Sequence, residues 1–186
     1  MTSCPQKKHL YECLKTEVMM SKKTFSWFRV IHKALKCPER RYQFWWRIAS
    51  YMYTSKNKFI RSQAKRINRK LIRKYGCEIQ LGAQIGKGLM ISHHNGIVIN
   101  GCAIIGSSLK IRQNTTIGIG GGTKSSSGSP RISIGNNVTI GAGSCIISEN
   151  ITIGNNVEIG AMSFINKDLP SDCVVYSEKK MIVIEK

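Results

Sequence analysis

Two adjacent histidines, His93 and His94, interrupt a stretch of sequence that is otherwise aliphatic and regular. Imidazole titrates near neutral pH, so it can take the proton of a hydroxyl group as that oxygen attacks a carbonyl carbon. A carboxylate on the other ring nitrogen would fix the tautomer and stabilise the imidazolium, and Glu78, 15 residues upstream of His93, is the candidate. The other histidines, His9 and His32, lie in a basic segment where the sequence names no partner. A second chemical signal is Gly118-Ile119-Gly120, at the head of a Gly/Ser-rich stretch that runs to Pro130. Backbone N–H groups there would hold a carbonyl oxygen as charge develops on it. These features together describe acyl transfer to a hydroxyl, with His93 as base, Glu78 as its partner and Ser92, His94 and Asn95 as contacts for the acceptor.

The element that must position them is a six-residue repeat. Ile79, Ile85 and Ile91 begin it, and after a slip it resumes as Ile99, Ile105, Ile111 and Ile117. A second block runs Ile134, Ile140, Ile146 and then, one residue late, Ile153, Ile159 and Ile165. A period of six belongs to no single helix or flat strand. It suits a triangular solenoid whose sides are short strands, with the aliphatic residue inside and Gly or Asn at corners where φ turns positive. Small residues such as Ser144 and Ser163, two before an Ile, would fill the narrow interior. The expected fold is a left-handed parallel β-helix of about five coils over residues 75–176, preceded by an α-helical segment 1–74 and followed by a tail, 177–186.

Breaks in the period carry the chemistry. Ile91 and Ile99 are eight apart, so two extra residues bulge out around His93, and Ile117 and Ile134 are 17 apart, which makes room for the Gly-rich loop. A single extra residue falls at Ser148-Glu149-Asn150. Loops on a rigid scaffold are where binding and catalytic groups concentrate. Glu78 precedes His93 by nearly one coil and Gly118 to Gly120 follow by about one more, so stacking would bring all of them within reach of one another.

The net charge of +19 is confined: residues 1–74 hold 20 of the 29 Lys and Arg and 3 of the 10 acids. Such confinement argues against nucleic acid as the partner of the whole chain. The segment reads as helices divided at Pro38, and Arg41 to Lys74 place Phe44, Ile48, Tyr51 and Met52 on one face before Gly76 marks the switch into the solenoid. Trp45, Trp46, Tyr51 and Tyr53 beside Arg40, Arg41 and Arg47 would either lie on anionic lipid as a peripheral anchor or dock on the solenoid or a partner chain. Seven cysteines without a CxxC pair indicate neither a disulfide framework nor a zinc site, which suits a reducing cytoplasm. No apolar run approaches the roughly 18 residues of a membrane span.

The stretch Tyr75-Gly76-Cys77-Glu78-Ile79, followed by Ile85-Gly86-Lys87-Gly88 and Ser92-His93-His94-Asn95-Gly96, resembles the catalytic region of the serine acetyltransferase branch of hexapeptide-repeat acyltransferases. The resemblance implies direct acetyl transfer from acetyl-CoA, no metal, and a homotrimer with coenzyme A between subunits. It places the pantetheine arm along Ala142, Gly143 and Ala161, with Lys167, Lys179 and Lys180 near the nucleotide phosphates. That family carries an Asp directly before the catalytic His and an Arg-His pair closing the Gly-rich loop; here those positions read Ser92 and Gly128-Ser129. Loss of the amino-acid clamp points to another acceptor, a sugar hydroxyl of a surface polysaccharide or its precursor, as in colanic acid acetyltransferases. Serine O-acetylation is the alternative within the enzyme class. A non-catalytic trimeric scaffold that binds membrane or acidic polymer is the alternative outside it. A γ-type carbonic anhydrase would need three metal-binding histidines, and the solenoid has two.

Overall fold

The structure is a computed structural model and describes residues 5–120 and 131–178. Four helices lead: α1 (Pro5–Leu14), which runs on into a π-helical turn (Lys15–Met19), α2 (Trp27–Lys36), α3 (Pro38–Tyr53) and α4 (Lys58–Tyr75). The expected helix from Arg41 to Lys74 is thus two. Asn57 causes the restart: its side chain accepts from Phe59 N at 2.8 Å and caps α4. Pro38 opens α3 in the first-turn position where a missing N–H costs nothing. Gly76, at φ +59°, closes α4 and donates to Ile72 O, the switch into the solenoid expected from sequence.

The rest is a three-sided parallel solenoid, as the repeat predicts and consistent with a left-handed β-helix. Side one stacks β1 (Cys77–Ile79), β4 (Ile97–Ile99), β7 (Thr116–Gly118), β10 (Cys145–Ile147) and β13 (Phe164–Ile165). Side two stacks β2 (Gln84–Ile85), β5 (Ala103–Ile105), β8 (Arg131–Ile134) and β11 (Asn150–Ile153). Side three stacks β3 (Met90–Ser92), β6 (Lys110–Arg112), β9 (Thr139–Ile140), β12 (Glu158–Ile159) and β14 (Val174–Val175). Four coils are complete, and on side two the fifth contributes only a bridge from Leu169 to Ile153.

Every isoleucine of the repeat is buried. Ser144 and Ser163 occupy the narrow interior as predicted and form a ladder, with Ser144 Oγ donating to Gly160 O at 2.9 Å and accepting from Ser163 N at 3.3 Å. The corner glycines serve in two ways. Gly86, Gly106, Gly135 and Gly154 are required because a Cβ would sit within 2.4–2.8 Å of atoms of the next coil, not because φ is positive there. Left-handed corner positions fall, as expected, to Gly and Asn: Gly88, Gly96 and Gly143 at φ +83°, +73° and +71°, and Asn137 and Asn156 at +55° and +54°. Their side chains join in a column: Asn137 Nδ2 donates to Asn156 Oδ1 at 3.1 Å, and Asn156 Nδ2 to Asp172 Oδ1 at 2.7 Å.

The helices plug the open end of the prism. Trp46, fully buried, donates from Nε1 to Ile79 O at 3.1 Å, where Asn68 Nδ2 also donates. Arg47 and Glu17 form a buried clamp between helices and first coil. Arg47 binds Glu17 through two nitrogens at 2.7 and 2.9 Å and donates to Ile85 O and Gly86 O, while Glu17 accepts from Gly88 N and Leu89 N. Burial opposes the Arg47 charge, and the adjacent Glu17 carboxylate outweighs it and holds the pKa above its ordinary value. Trp46 and Arg47 therefore leave the expected lipid anchor: both are spent on docking the helices. Of that group Trp45 stays partly exposed, and Tyr53 is covered by Arg61 at 5.1 Å.

Candidate active site

The register confirms the slip at the histidines. Ser92 pairs with Arg112 but Val98 pairs with Thr116, so six steps on one coil are matched by four on the next and two surplus residues must bulge. They do so at the corner between sides three and one. His93 is exposed and held at φ +61°, a conformation that a residue with a Cβ adopts at a cost. Ser92 is half-buried and Asn95 exposed beside it.

His94 is half-buried. It turns into the joint between helices and solenoid, its ring 5.0 Å from that of Tyr42 and 5.4 Å from that of Tyr75, with Nε2 buried and, among the described residues, without a hydrogen-bond partner. Burial, and secondarily the neighbouring His93, lowers its pKa below the ordinary histidine value. Aromatic packing thus occupies the His94 ring, which the sequence reading offered as a contact for the acceptor.

Glu78 lies on β1 with its side chain outward and half-buried, between the inward Cys77 and Ile79. Gly96 N donates to Gly76 O at 2.7 Å, which sets the histidine bulge one coil beyond the start of β1 and so at the same end of side one as Glu78. Among the described residues no hydrogen bond joins Glu78 to His93; the carboxylate is approached by Gln80 Nε2 at 3.5 Å.

The remaining candidates divide between two edges of the prism. Along the corner from side three to side one, backbone bonds run from Asn114 N to Asn95 O, Gly143 N to Gln113 O and Met162 N to Ala142 O. This edge carries His93, Ala142, Gly143 and Ala161. Gly118, Gly120 and the exposed Lys167 lie on the corner from side one to side two. A strand's length, roughly 10 Å, separates the two edges, so within one chain Gly118 and Gly120 do not come to His93 as expected. The fold explains why: one coil on from the bulge lies Asn114, whose N donates to Asn95 O, and Gly118 is four residues further, at the far end of β7. Residues 121–130, with the Gly128-Ser129 pair, and Lys179 and Lys180 lie outside the described residues.

A cleft of about 770 Å³ opens between α1, α3 and side two of the first coils, lined by His9, Tyr51, Gln84 and Ile104 among others, and none of the candidate residues faces it. Among the described residues no group of three His, Cys, Asp or Glu is placed to hold a metal ion. No described helix is long and apolar enough to cross a membrane.

No family model matches the chain. Serine acetyltransferase from Synechococcus elongatus is 40% identical over 129 residues, which is 69% of this chain and 50% of that protein. Serine acetyltransferase from Synechocystis is 45% identical over 100 residues, 54% of this chain and 39% of that protein. The chain thus spans half or less of these curated relatives. Among solved structures, serine acetyltransferase 1 from Entamoeba histolytica, in complex with L-cysteine, superposes with a TM-score of 0.69 at 26% identity, covering 92% of this chain and 63% of that one. In sequence and in fold alike, the chain is similar to serine acetyltransferases built on the hexapeptide-repeat solenoid.

Proposed function

We propose that the chain is an acetyl-CoA-dependent O-acetyltransferase with His93 as general base and L-serine as acceptor. The observation that carries this reading is the surplus pair at the corner, with His93 held outward at φ +61°, in a chain 40% identical to a serine acetyltransferase. His93 takes the proton of the acceptor hydroxyl as its oxygen attacks the thioester carbonyl. The tetrahedral oxyanion then collapses, the C–S bond breaks, and the imidazolium returns the proton to the departing thiolate. Glu78 orients the ring, a role that asks its carboxylate to swing from Gln80 towards His93 once substrates are bound.

The edge carrying Ala142, Gly143 and Ala161 supports an extended pantetheine arm, because small side chains let it approach the backbone. Gly118, Gly120 and Lys167 lie on the other edge of side one, so a site that uses both edges needs a second copy of the chain. That requirement supports the homotrimer. The outward column of side one, Glu78, Val98, Thr116, Cys145 and Phe164, is mostly uncharged, as a face covered by a neighbour would be.

A sugar hydroxyl is the second reading, favoured by Ser92: an uncharged residue stands where a carboxylate would meet a substrate ammonium. Thiol release from acetyl-CoA, measured with L-serine and with glycan acceptors in parallel, separates the two. Turnover should collapse in His93→Ala and fall strongly in Glu78→Gln. Near-normal turnover in His93→Ala would refute the base, and failure to bind coenzyme A at millimolar concentration would leave a scaffold.

A further inference from the structure

Helix α2 presents an apolar stripe, Phe28, Ile31 and Leu35, left largely exposed among the described residues, while Trp27 at its head packs edge-on against Tyr11 and Phe25. Phe28 is 80% exposed, Leu35 69%, Ile31 45% and Trp27 40%. Phe28, Ile31 and Leu35 recur at the i, i+3, i+7 spacing of one helical stripe, whereas Val30 and Ala34 alone point into the protein. Exposed Arg29, His32 and Lys36 rim the stripe, and exposed Lys22 and Lys23 precede it.

Charge decides what fits this face. All three carboxylates of residues 1–74 are already engaged. Glu17 is held by Arg47, Glu12 lies 3.4 Å from Lys87, and Glu39 lies 3.8 Å from Arg40. The cations of the helical segment are therefore left to find anions elsewhere, and α4 adds eight Lys and Arg with no acid at all. A second copy would bring the same cations against these, which opposes self-pairing. A hydrated polyanion would satisfy the cations and leave Phe28 and Leu35 in water. An anionic lipid surface offers both a negative layer for the rim and an apolar layer for the stripe.

We infer that α2 is a lipid-surface helix, lying in the interface of an anionic membrane with Phe28, Ile31 and Leu35 inserted and Arg29 and Lys36 at the headgroups. The anchor thus sits on α2, and not on the aromatic face of α3 where the sequence suggested it. The inference is independent of the proposed activity, since the face lies outside the candidate site.

Co-flotation of the full chain with vesicles of DOPC alone and of DOPC mixed equally with DOPG tests it. Binding should require DOPG and weaken with added salt. The double variant Phe28→Ser/Leu35→Ser should bind about tenfold or more weakly. Both side chains are exposed, so the variant should fold, which circular dichroism checks. Absence of DOPG-dependent binding by the natural chain overturns the inference, as does undiminished binding by the double variant. A change in solution mass of the double variant without lipid, read by light scattering, overturns it in favour of an interface between copies.

Discussion

Replacing Arg47 by Met should detach the helices from the solenoid far more than the loss of one side chain suggests. The guanidinium makes two bonds to Glu17 and two to the carbonyls of Ile85 and Gly86, all between 2.7 and 2.9 Å, with Arg47 and Glu17 side chains 4% and 1% exposed. Methionine matches much of the aliphatic stem, so packing is roughly kept. What remains is a carboxylate out of water with only Gly88 N and Leu89 N to hold it. Removing one partner of such a pair costs about 3–5 kcal/mol, a large share of the roughly 5–15 kcal/mol that stabilises a domain. Urea unfolding followed by tryptophan fluorescence should report this directly, because Trp46 lies in the same joint. The double variant Arg47→Met/Glu17→Met removes both charges and should lose less than the sum of the single losses, by ~1.5 kcal/mol or more. A single-variant loss under about 1 kcal/mol, or strict additivity in the cycle, would refute the clamp.

Three further outcomes follow from particular atoms. His94 has a folded pKa below the ordinary histidine value, so the unfolded chain binds its proton more readily; the stabilisation from a neutral His94 is complete above about pH 6.5 and is lost as pH falls through the folded pKa. His94→Gln should flatten the acid side of a melting-temperature profile, and an unchanged profile would count against the buried neutral ring. Gly141→Ala should destabilise by about 1–3 kcal/mol or more, since its Cβ would lie 2.4 Å from Ala161 N, whereas Gly120→Ala, with nothing among the described residues within 4 Å, should unfold at the same denaturant concentration as the natural chain. Burial pushes the Cys13 thiol up to about 12 and the Cys77 thiol up to about 11, so iodoacetamide at pH near 8 should leave both unmodified until urea is added; peptide mapping that finds them alkylated in the native chain would contradict this.

Sequence alone reached the solenoid because the repeat has one solution: an aliphatic residue every sixth position can be buried only if the chain turns a corner between each pair. It also reached the location of the bulge, since a two-residue surplus in a stacked register must leave the ladder, and the surplus falls between Ser92 and Val98. The clamp was out of reach. Glu17 and Arg47 are 30 residues apart and read as two surface charges in a segment rich in them; nothing local marks them as buried. Similarly, the aromatic run around Trp45 and Trp46 looked like one face, yet neighbours on a helix point about 100° apart, so Trp46 enters the core while Trp45 remains 43% exposed.

The histidine doublet shows how far periodicity carries function and where it stops. Counting residues locates the bulge but assigns no side chain in it a direction, so it does not say which of His93 and His94 turns inward. Their directions are set by what surrounds the corner. Tyr42, fixed in the core by α3, and Tyr75, at the end of α4, form an aromatic recess that accepts one ring from the bulge. With His94 in that recess, the bulge is pinned from the inside and His93 is left outward at its left-handed φ. With His93 as the proposed base, the helices bear on the chemistry through His94: a loosened helix–solenoid joint, whether by Arg47→Met or by substitution of Tyr42, should disturb the placement of His93 without touching it. The effect should appear as a fall in turnover with coenzyme A binding preserved, and loss of both together would mean that the joint serves the fold alone.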